Sequence, residues 1–528
     1  RKILFIYTVY STKNGVIPPR LISVERSFRW QEITCQVRLK KAQHRGKRLR
    51  AVSRPSASAQ YDSSMAKPSS QQALLWVVAA CFFMQTLDTT IVNTALPAMA
   101  RSLGEEALAL KPVVVAYTLT MAMLTPASGW LADRYGTRRV YLAAILIFAM
   151  GSVFCAMAQT LTQLIAARVV QGVGGSMLVP IGRLAVLRTV PGDQYISALA
   201  FVSIAGQVGP IFGPTLGGLL VQVASWHWIF MINVPIGIAG LLAVRRYLPE
   251  DALSDVAPFD VWGCTLLSLC MVSFSLGLDL PAGAARMAWS MGLFALSALT
   301  VLLYVVHARK RQNPLFQLRL FREPNFSVGL VGNLVCRIGS SAVPFLLPLL
   351  LQLQLGYSPL QSGLMMLPAA IAGTITKPWI APLVRRYGYD TFLLVNTVLV
   401  GASIVSFAAI SPGWPLALQV VQLALFGATN SMQFAAMNSV TLKGLSKRDA
   451  ASGNSLFSMI QMLAIGLGVT IGGGLVGMFS GEANASLGRA FTLSFVCVGV
   501  ITLLSGWVFR RLDMSQLGRP ADNRPAAG

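Results

Sequence analysis

The chain has 528 residues and a formal net charge of +24; 54% of its residues are hydrophobic and only 12% are charged. Soluble domains usually carry about 25% charged residues, so this composition excludes an ordinary soluble protein. Apolar stretches recur from about residue 72 to residue 510, and many reach the roughly 20 residues that cross a bilayer. We therefore predict an all-α polytopic membrane protein.

The positive charge is distributed as membrane topology requires. Residues 1–64 hold 14 Lys and Arg against 3 Asp and Glu, and the rest of the excess lies mostly in short loops between apolar runs. We expect residues 1–70 to be a basic, disordered arm, with residues 1–64, ahead of Met65, as translated upstream sequence or part of that arm. No nucleic-acid partner is expected. The cysteines and histidines lack ligand spacing, so no metal or cofactor is expected either.

Fourteen transmembrane helices are predicted. They lie near 72–98, 112–132, 140–158, 161–183, 197–222, 227–247, 260–281, 286–307, 326–352, 363–382, 391–411, 415–438, 454–478 and 489–510. With both termini in the cytoplasm, the inside loops and tail carry 22 Lys and Arg, counting Lys67. The outside loops carry only Arg101, Lys111, Arg286 and Arg489. This asymmetry predicts the orientation.

An internal repeat suggests two related halves. LADRYGTRRVYL (131–142) and LVRRYGYDTFLL (383–394) share R-Y-G at the same offset, and duplicated halves are common in transporters. No GxxxxGK[ST] phosphate cradle occurs, so an ion gradient is the expected energy source. The predicted divisions are an N-terminal six-helix bundle (71–250), two inserted helices with a linker (251–318), a C-terminal six-helix bundle (319–511) and a cytoplasmic tail (512–528).

Five short motifs follow one another along the first half. They are LDTTIVNTALP (87–97), GWLADRYGTRR (129–139), RVVQGVGGSM (168–177), GQVGPIFGPTLGG (206–218) and WHWIFMINVPIG (226–237). In order and position they resemble signatures of the major facilitator superfamily, and the first and last resemble those of its fourteen-span drug:proton antiporter branch. The resemblance covers roughly residues 70–511. It implies a major facilitator fold and a proton-coupled exporter of small, amphipathic compounds in a bacterial inner membrane, working by alternating access. A periplasmic adaptor stays an open question.

Asp88 is the one acidic residue that the span prediction places well inside the membrane. With a rise of about 1.5 Å per residue, Asp88 lies roughly 21 Å from the inner face and Arg168 roughly 10 Å below the outer face. The two depths are similar in a core about 30 Å thick, so a direct pair or a shared water network is predicted. Charges at this depth usually face a functional cavity. We expect Asp88 to carry or gate the proton and Arg168 to tune it; a permanent structural ion pair is the alternative.

The resemblance also implies a gating loop and a sealing helix. We expect Gly129 and Gly136 to permit close helix approach and a tight turn, and Asp133 to meet a helix N-terminus or an arginine across the bundle interface. A plain topology anchor is the alternative. The gating loop comprises Gly129, Asp133, Arg134, Gly136, Arg138 and Arg139, with Thr137 where the family usually has a basic residue. The antiporter motif comprises Gly209, Pro210, Gly213, Pro214, Gly217 and Gly218, which are expected to seal the fifth span by close packing.

Three deep cations bear on the substrate. Arg168, Arg337 and Lys377 against one deep acid would suit a small organic anion or a metal chelate, such as citrate or iron-citrate, better than cationic drugs alone. The candidate substrate cavity contains Asn93, Gln171, Arg337 and Lys377. A non-transporting membrane receptor or scaffold is the alternative from another class, and it would not need Asp88.

Overall fold

The computed structural model describes residues 68–250, 256–279, 284–411, 413–443, 445–446, 449–481 and 486–512. Most of the predicted basic arm and nearly all of the predicted tail lie outside these ranges. Within them, the residues form eighteen α-helices, which we number in chain order.

The helices fall into a first half, an inserted pair and a second half. The first half contains α1 (Pro68–Leu103), α2 (Lys111–Leu124), α3 (Ala127–Tyr135), α4 (Thr137–Met157), α5 (Leu161–Thr189), α6 (Gly192–Val223), α7 (Trp228–Met231) and α8 (Asn233–Tyr247). The inserted pair is α9 (Val261–Leu278) and α10 (Ala284–Lys310). The second half contains α11 (Pro324–Leu349), α12 (Pro359–Met365), α13 (Leu367–Ile375), α14 (Lys377–Tyr387), α15 (Tyr389–Ser406), α16 (Leu416–Lys443), α17 (Ala450–Ser480) and α18 (Leu487–Phe509).

Each of the fourteen predicted spans has a helical counterpart. Among the described residues, twelve helical stretches are long and apolar enough to cross a membrane. The run from α12 to α14 is bent by 51°, and it adds a thirteenth when it is counted as one span. The remaining counterpart is α16, a 28-residue helix whose several Gln and Asn side chains lower its hydropathy.

Proline explains where the continuous spans of the prediction are interrupted. The predicted helix 112–132 ends at Leu124 and resumes at Ala127, because Pro126 cannot donate the backbone hydrogen bond that would join α2 to α3. The predicted helix 363–382 is likewise divided into α12, α13 and α14, with Pro368 and Pro378 at the starts of the second and third pieces. The interruption between α13 and α14 coincides with the 51° bend of that span.

Two six-helix bundles with an inserted pair make up the architecture, as the repeat predicted. In the first half α1 packs along α6 and α4 along α5, whereas in the second half α11 packs along α17 and α18. The inserted helices pack on each other, and α9 contacts both α2 and α17. The inserted pair therefore lies over the seam between the halves.

The repeat has a direct structural counterpart in two turns. Gly136 joins α3 to α4 with φ +89°, and Gly388 joins α14 to α15 with φ +81°. Residues that carry a Cβ rarely adopt such backbone angles, so glycine is required at the same place in both halves. We call the end of the molecule that holds these two turns the basic end.

The two halves meet closely at the opposite end, which we call the closed end. There Gln352 Nε2 donates to Thr94 O at 2.9 Å. Nearby, Thr215 Oγ1 of α6 donates to Gly363 O of α12 at 3.1 Å. Lys111, at the same end, forms a 2.7 Å ion pair with Asp279 of the inserted pair. Several contacts thus close the seam at the end away from the basic loops.

Candidate functional site

Asp88 lies near the middle of α1, and no part of it is exposed. Arg168 Nη1 donates to its Oδ2 at 2.7 Å. Gln171 Nε2 and Asn233 Nδ2 donate to its Oδ1 at 2.8 and 3.0 Å. The structure therefore brings Asp88 and Arg168 into direct contact, with both carboxylate oxygens occupied by donors.

Arg168 is held from several directions. Its Nη1 also donates to Gln171 Oε1 at 2.6 Å, and its Nε donates to Val113 O on α2 at 3.1 Å. The guanidinium carbon lies 4.0 Å from the centroid of the Tyr117 ring, within the range of a cation–π contact. The positive charge is therefore fixed between α2 and α5 and directed at α1.

Two further polar side chains complete the cluster. Ser152 Oγ on α4 accepts from Gln171 Nε2 at 2.8 Å and from Asn233 Nδ2 at 3.3 Å. Asn233 begins α8 directly after the short break that follows α7. Sequence reasoning missed both residues, although each is a polar side chain within an apolar run and Asn233 belongs to the motif at 226–237. The cluster joins α1, α2, α4, α5 and α8.

Four buried polar atoms on or beside this cluster have no hydrogen-bond partner among the described residues. They are Gln85 Oε1, Asn93 Oδ1, Tyr117 Oη and Asn233 Oδ1. Buried polar atoms are nearly always paired, and those without a protein partner usually bind water or a ligand. The surroundings of Asp88 thus contain polar atoms, outside its own hydrogen bonds, that can bind water or a ligand.

In the described state the gating loop pairs within the first half rather than across the bundle interface. Asp133 Oδ1 accepts from Arg188 Nη2 at 2.6 Å, and Arg188 belongs to α5. Arg188 Nη1 also donates to Thr137 Oγ1 at 2.7 Å, so this hydroxyl has a partner where the family usually has a basic residue. Arg138 bonds to Glu250 at 3.2 Å and to Arg245 O at 2.5 Å. The halves meet mainly toward the closed end, which leaves an arginine of the same half as the partner of Asp133.

The expectation of close helix approach at Gly129 is wrong. Gly129 is exposed, and a Cβ added there would meet no atom within 4 Å. The tight turn belongs to Gly136 alone. The helix α3 is instead held by Trp130, whose Nε1 donates to Ala257 O at 2.9 Å on the segment that leads into α9. Arg134 and Arg139 are exposed at the basic end.

The antiporter motif packs α6 closely against two neighbours. A Cβ added to Gly209 or Gly213 would overlap threonine hydroxyls of α1, and one added to Gly217 would lie 2.5 Å from Ile91 O. Gly218 instead faces the backbone of Pro359 in the second half. Of the two prolines inside this helix, Pro210 and Pro214, the second accepts a hydrogen bond from Thr94 Oγ1 of α1 at 3.1 Å. Through this motif, α6 packs against α1 on one face and against the second half of the protein on another.

The second half buries an arginine of a different kind. Arg337 Nε donates to Asn333 Oδ1 at 2.7 Å, and its guanidinium carbon lies 3.8 Å from the centroid of the Phe434 ring. No carboxylate pairs with Arg337 among the described residues. Beside it, Asn438 Oδ1 accepts from Asn333 Nδ2 at 3.4 Å and from Gln461 Nε2 at 3.2 Å.

The four residues of the candidate substrate cavity belong to four different helices. Gln171 belongs to the Asp88 cluster, and Asn93 lies buried on α1 five residues beyond Asp88. Arg337 lies in the second half. Lys377 begins α14, and its Nζ donates to Gln207 Oε1 of α6 across the seam.

Comparison with known proteins gives a family and a fold. The family model described as Major Facilitator Superfamily matches residues 78–469. The chain is 46% identical over 453 residues to "Putative multidrug resistance protein MdtD" of Salmonella heidelberg (strain SL476), and the match covers 84% of this chain and 96% of the relative. The same identity and coverage hold for the protein of that name from Salmonella typhi.

Solved structures of transporters share the fold. An auto-inhibited POT family peptide transporter superposes with a TM-score of 0.65 at 15% identity, covering 86% of this chain and 99% of that one. The nucleoside transporter NupG gives a TM-score of 0.59 at 15% identity, with 85% and 100% covered. Fold, family model and relatives agree, and the chain therefore belongs to the major facilitator superfamily of membrane transporters.

Proposed function

We propose that the protein is a proton-coupled exporter of small, amphipathic compounds and that Asp88 binds the proton. The observation that carries this proposal is the buried carboxylate of α1, whose partners come from α5 and α8. Adding a proton to Asp88 would remove its charge and weaken its bond to Arg168. Because five helices meet at this cluster, such a change would alter how they pack on one another.

The glycine motif supplies a route from Asp88 to the seam. The helix α1 packs on α6 through Gly209, Gly213 and Gly217, and α6 meets α12 at Gly218. A shift of α1 would therefore reach the contact between the halves without passing through a loop. Close-packed glycines transmit displacement because no side chain lies between the two backbones.

The unpaired polar atoms near the cluster support access of the proton to Asp88. Gln85 and Asn93 lie three and five residues from Asp88 on the same helix, and the hydroxyl of Tyr117 lies on α2. Water bound by these groups would lead to the cluster while the ion pair itself stays shielded. Asp88 exchanges its proton along this path in the proposed cycle.

The proposed orientation places the basic end in the cytoplasm, since Lys and Arg are concentrated there. With the closed end toward the outside, the described state is open toward the cytoplasm. In this state Asp133 pairs with Arg188 of its own half. We propose that closure of the basic end during switching brings Asp133 to the second half, so that the gating loop steadies the alternate state.

Inverted membrane vesicles with an acid interior test the proposal. We would add a cationic dye and citrate separately and follow the pH gradient with the natural chain, Asp88→Asn and the exposed control Asp390→Asn. Dissipation by the dye that is lost only in Asp88→Asn is the expected result. If Asp88→Asn dissipates the gradient as fully as the control, Asp88 does not couple protons.

A second candidate is export of a small organic anion or metal chelate by the same machinery. The buried Arg337, which has no carboxylate partner in the described chain, favours it because an anion would supply the missing charge. Dissipation of the gradient by citrate alone would support this candidate. If neither compound dissipates the gradient, the result favours the alternative of a non-transporting membrane receptor or scaffold.

A further inference from the structure

The side-chain amide of Asn233 faces Asp88 with its donor end and leaves its acceptor end unused. This side chain is fully buried at the first residue of α8. Its Nδ2 donates to Asp88 Oδ1 at 3.0 Å and to Ser152 Oγ at 3.3 Å. Its Oδ1 has no hydrogen-bond partner among the described residues. A buried acceptor is therefore present on a side chain that already touches the carboxylate.

The other two partners of Asp88 offer no such acceptor. Arg168 carries donors only. Gln171 has an amide, but its Oε1 already accepts from Arg168 Nη1 at 2.6 Å, and its Nε2 donates to Asp88 and Ser152. Reversing that amide would place an amino group against the guanidinium. Of the described residues that bond to Asp88, Asn233 alone can exchange its amide ends without breaking a bond at its oxygen.

Protonation changes what the oxygen atoms of Asp88 require. The ionised carboxylate only accepts, and it accepts here from Arg168, Gln171 and Asn233. A carboxylic acid carries an O–H donor, and a buried donor without an acceptor is unfavourable. Because Oδ2 faces the guanidinium, the proton is expected on Oδ1, where the amino group of Asn233 would oppose it. Neutral Asp88 therefore needs an acceptor at the present position of that amino group.

We propose that Asn233 senses the protonation state of Asp88 by exchanging the two ends of its amide. The inference rests on the proposed function, in which Asp88 binds the proton. A proton from water bonds to Asp88 Oδ1, and no other covalent bond forms or breaks. The amide then rotates by about 180° around its Cβ–Cγ bond, so that its oxygen accepts from the new O–H. Release of the proton reverses the rotation.

The surroundings of Asn233 allow this rotation without movement of α8. That helix packs along α1 and α4, and a Cβ added to Gly237 would lie 3.0 Å from Ala149 Cβ. The backbone is thus confined, whereas the two ends of an amide are similar in size. The hydroxyl of Ser152, which donates to Phe148 O at 2.9 Å, can donate to the rotated amide oxygen instead. The cluster can therefore stay hydrogen-bonded in both protonation states of the carboxyl group.

The titratable and charged side chains that face Asp88 come from three helices. They are Arg168 of α5, Tyr117 of α2 and Cys155 of α4. Of these three, only Arg168 forms a hydrogen bond with the carboxylate, and its guanidinium stays cationic. No second carboxyl group belongs to the described cluster. A carboxyl signal that changes with pH at this cluster therefore belongs to Asp88.

Infrared difference spectroscopy of the full chain in lipid nanodiscs, stepped from alkaline to acidic pH, tests the proposal. The C=O band of protonated Asp88 is identified by its loss in Asp88→Asn. In Asn233→Leu, which has a similar shape but no amide, we expect this band to move to higher wavenumber, because the O–H has lost its acceptor. We also expect a side-chain amide band that responds to the acid step in the natural chain and is lost in Asn233→Leu.

The matched control is Asn396→Leu, which removes a buried asparagine of α15 that bonds to Thr429 O and Gln433 Oε1. It should leave the Asp88 band in place. If Asn233→Leu does not fold, Asn233→Ala takes its place with the same expected shift.

Two outcomes contradict the inference, and they differ in what else they affect. If Asn233 is only a donor to the carboxylate, Asn233→Leu leaves the band position unchanged and raises only the pH at which the band appears. That result overturns the amide exchange and leaves proton binding at Asp88 intact. If the natural chain shows no Asp88 band at acidic pH, Asp88 takes up no proton, and the proposed function falls together with the inference.

Discussion

Each half of the protein buries an arginine within its helices, and the two arginines have different partners. Arg168 meets Asp88 at 2.7 Å and makes further bonds to Gln171 and Val113. Arg337 has an amide, Asn333, and the ring of Phe434. In the first half the positive charge is neutralised inside the protein. In the second half, among the described residues, it is not.

The difference separates two uses of a buried charge. A neutralised pair is stable until one member changes, so loss of the charge on Asp88 would leave Arg168 as an uncompensated buried charge. A buried cation without a carboxylate is costly in itself and becomes favourable only when an anion arrives. Under the functions proposed above, the first half would respond to protons and the second half to a negative ligand.

The largest expected effect comes from deleting the carboxylate in the first half. Asp88→Ala leaves Arg168 as a lone buried charge, which should lower the free energy of unfolding by about 3–5 kcal/mol. Thermal unfolding of the purified protein in detergent measures this. The double variant Asp88→Asn/Arg168→Gln should lose less, because it buries no charge. Equal losses in the two variants would mean that the pair is not compensated as described.

A second buried carboxylate, Asp260 at the start of α9, should make the stability of the protein depend on pH. Burial acts to raise the pKa of Asp260, but hydrogen bonds from His307 and from the backbone N–H groups of Leu315 and Gly263 outweigh it and hold the pKa below its ordinary value of 3.8. The ionised form therefore stabilises the fold. This contribution is fully present above the unfolded pKa and is lost as pH falls through the lower folded pKa.

Asp260→Asn should cost about 1.5–3 kcal/mol at pH 7 through the loss of charge-assisted hydrogen bonds. Unfolding curves between pH 7 and pH 3 measure it. The gap between the natural chain and the variant should narrow only below about pH 4, where carboxylates begin to protonate. Asp390→Asn, at an exposed site, should show no such gap. A gap that stays constant down to pH 3 would contradict the assignment to the carboxylate.

The two glycine turns offer a place where the halves should behave alike. Gly136→Ala and Gly388→Ala each force a side chain into a backbone conformation that glycine adopts freely, at a cost of about 1–3 kcal/mol. Gly129→Ala is the matched control in the same loop, and it should be neutral or slightly stabilising because its Cβ meets nothing. Chemical unfolding of the three variants checks this. Sensitivity in one half alone would show that the repeat is no longer structurally equivalent.

The smallest effect on stability is expected at the second arginine. Arg337→Gln removes an unneutralised buried charge along with one hydrogen bond, so the free energy of unfolding should change by less than about 1 kcal/mol. If the second candidate function is correct, transport of an anion in vesicles should nevertheless fall strongly. A large loss of stability with transport intact would make Arg337 a structural residue and end the contrast with Arg168.

The sequence alone predicted the helices and an interaction of Asp88 with Arg168, either direct or through water, because depth along a span follows from residue number. It did not predict Ser152 and Asn233, because their contact with Asp88 depends on how each helix is rotated about its axis. Apolar runs give little information on rotation when they are hydrophobic all round.

The outcome at Asp133 has another cause. The charge and the loop were evident from the motif. In the proposed alternating-access cycle the loop would have two sets of neighbours, and a sequence pattern cannot select one of them. At Gly129 the motif suggested a packing role, but this residue lies on an exposed face of α3 where no neighbour is in contact.

The separation of Asp88 and Arg168 along the chain also bears on how the protein is made. The two partners are 80 residues apart. At about 5–20 residues per second, a ribosome needs on the order of 4–16 s to reach the arginine after the aspartate. An aspartate at the centre of a lone helix costs about 2.5–3.5 kcal/mol on insertion scales. Until α5 has been synthesised, Asp88 therefore makes insertion of α1 into the bilayer less favourable. The final position of α1 in the membrane depends on synthesis of the fourth span, which carries Arg168.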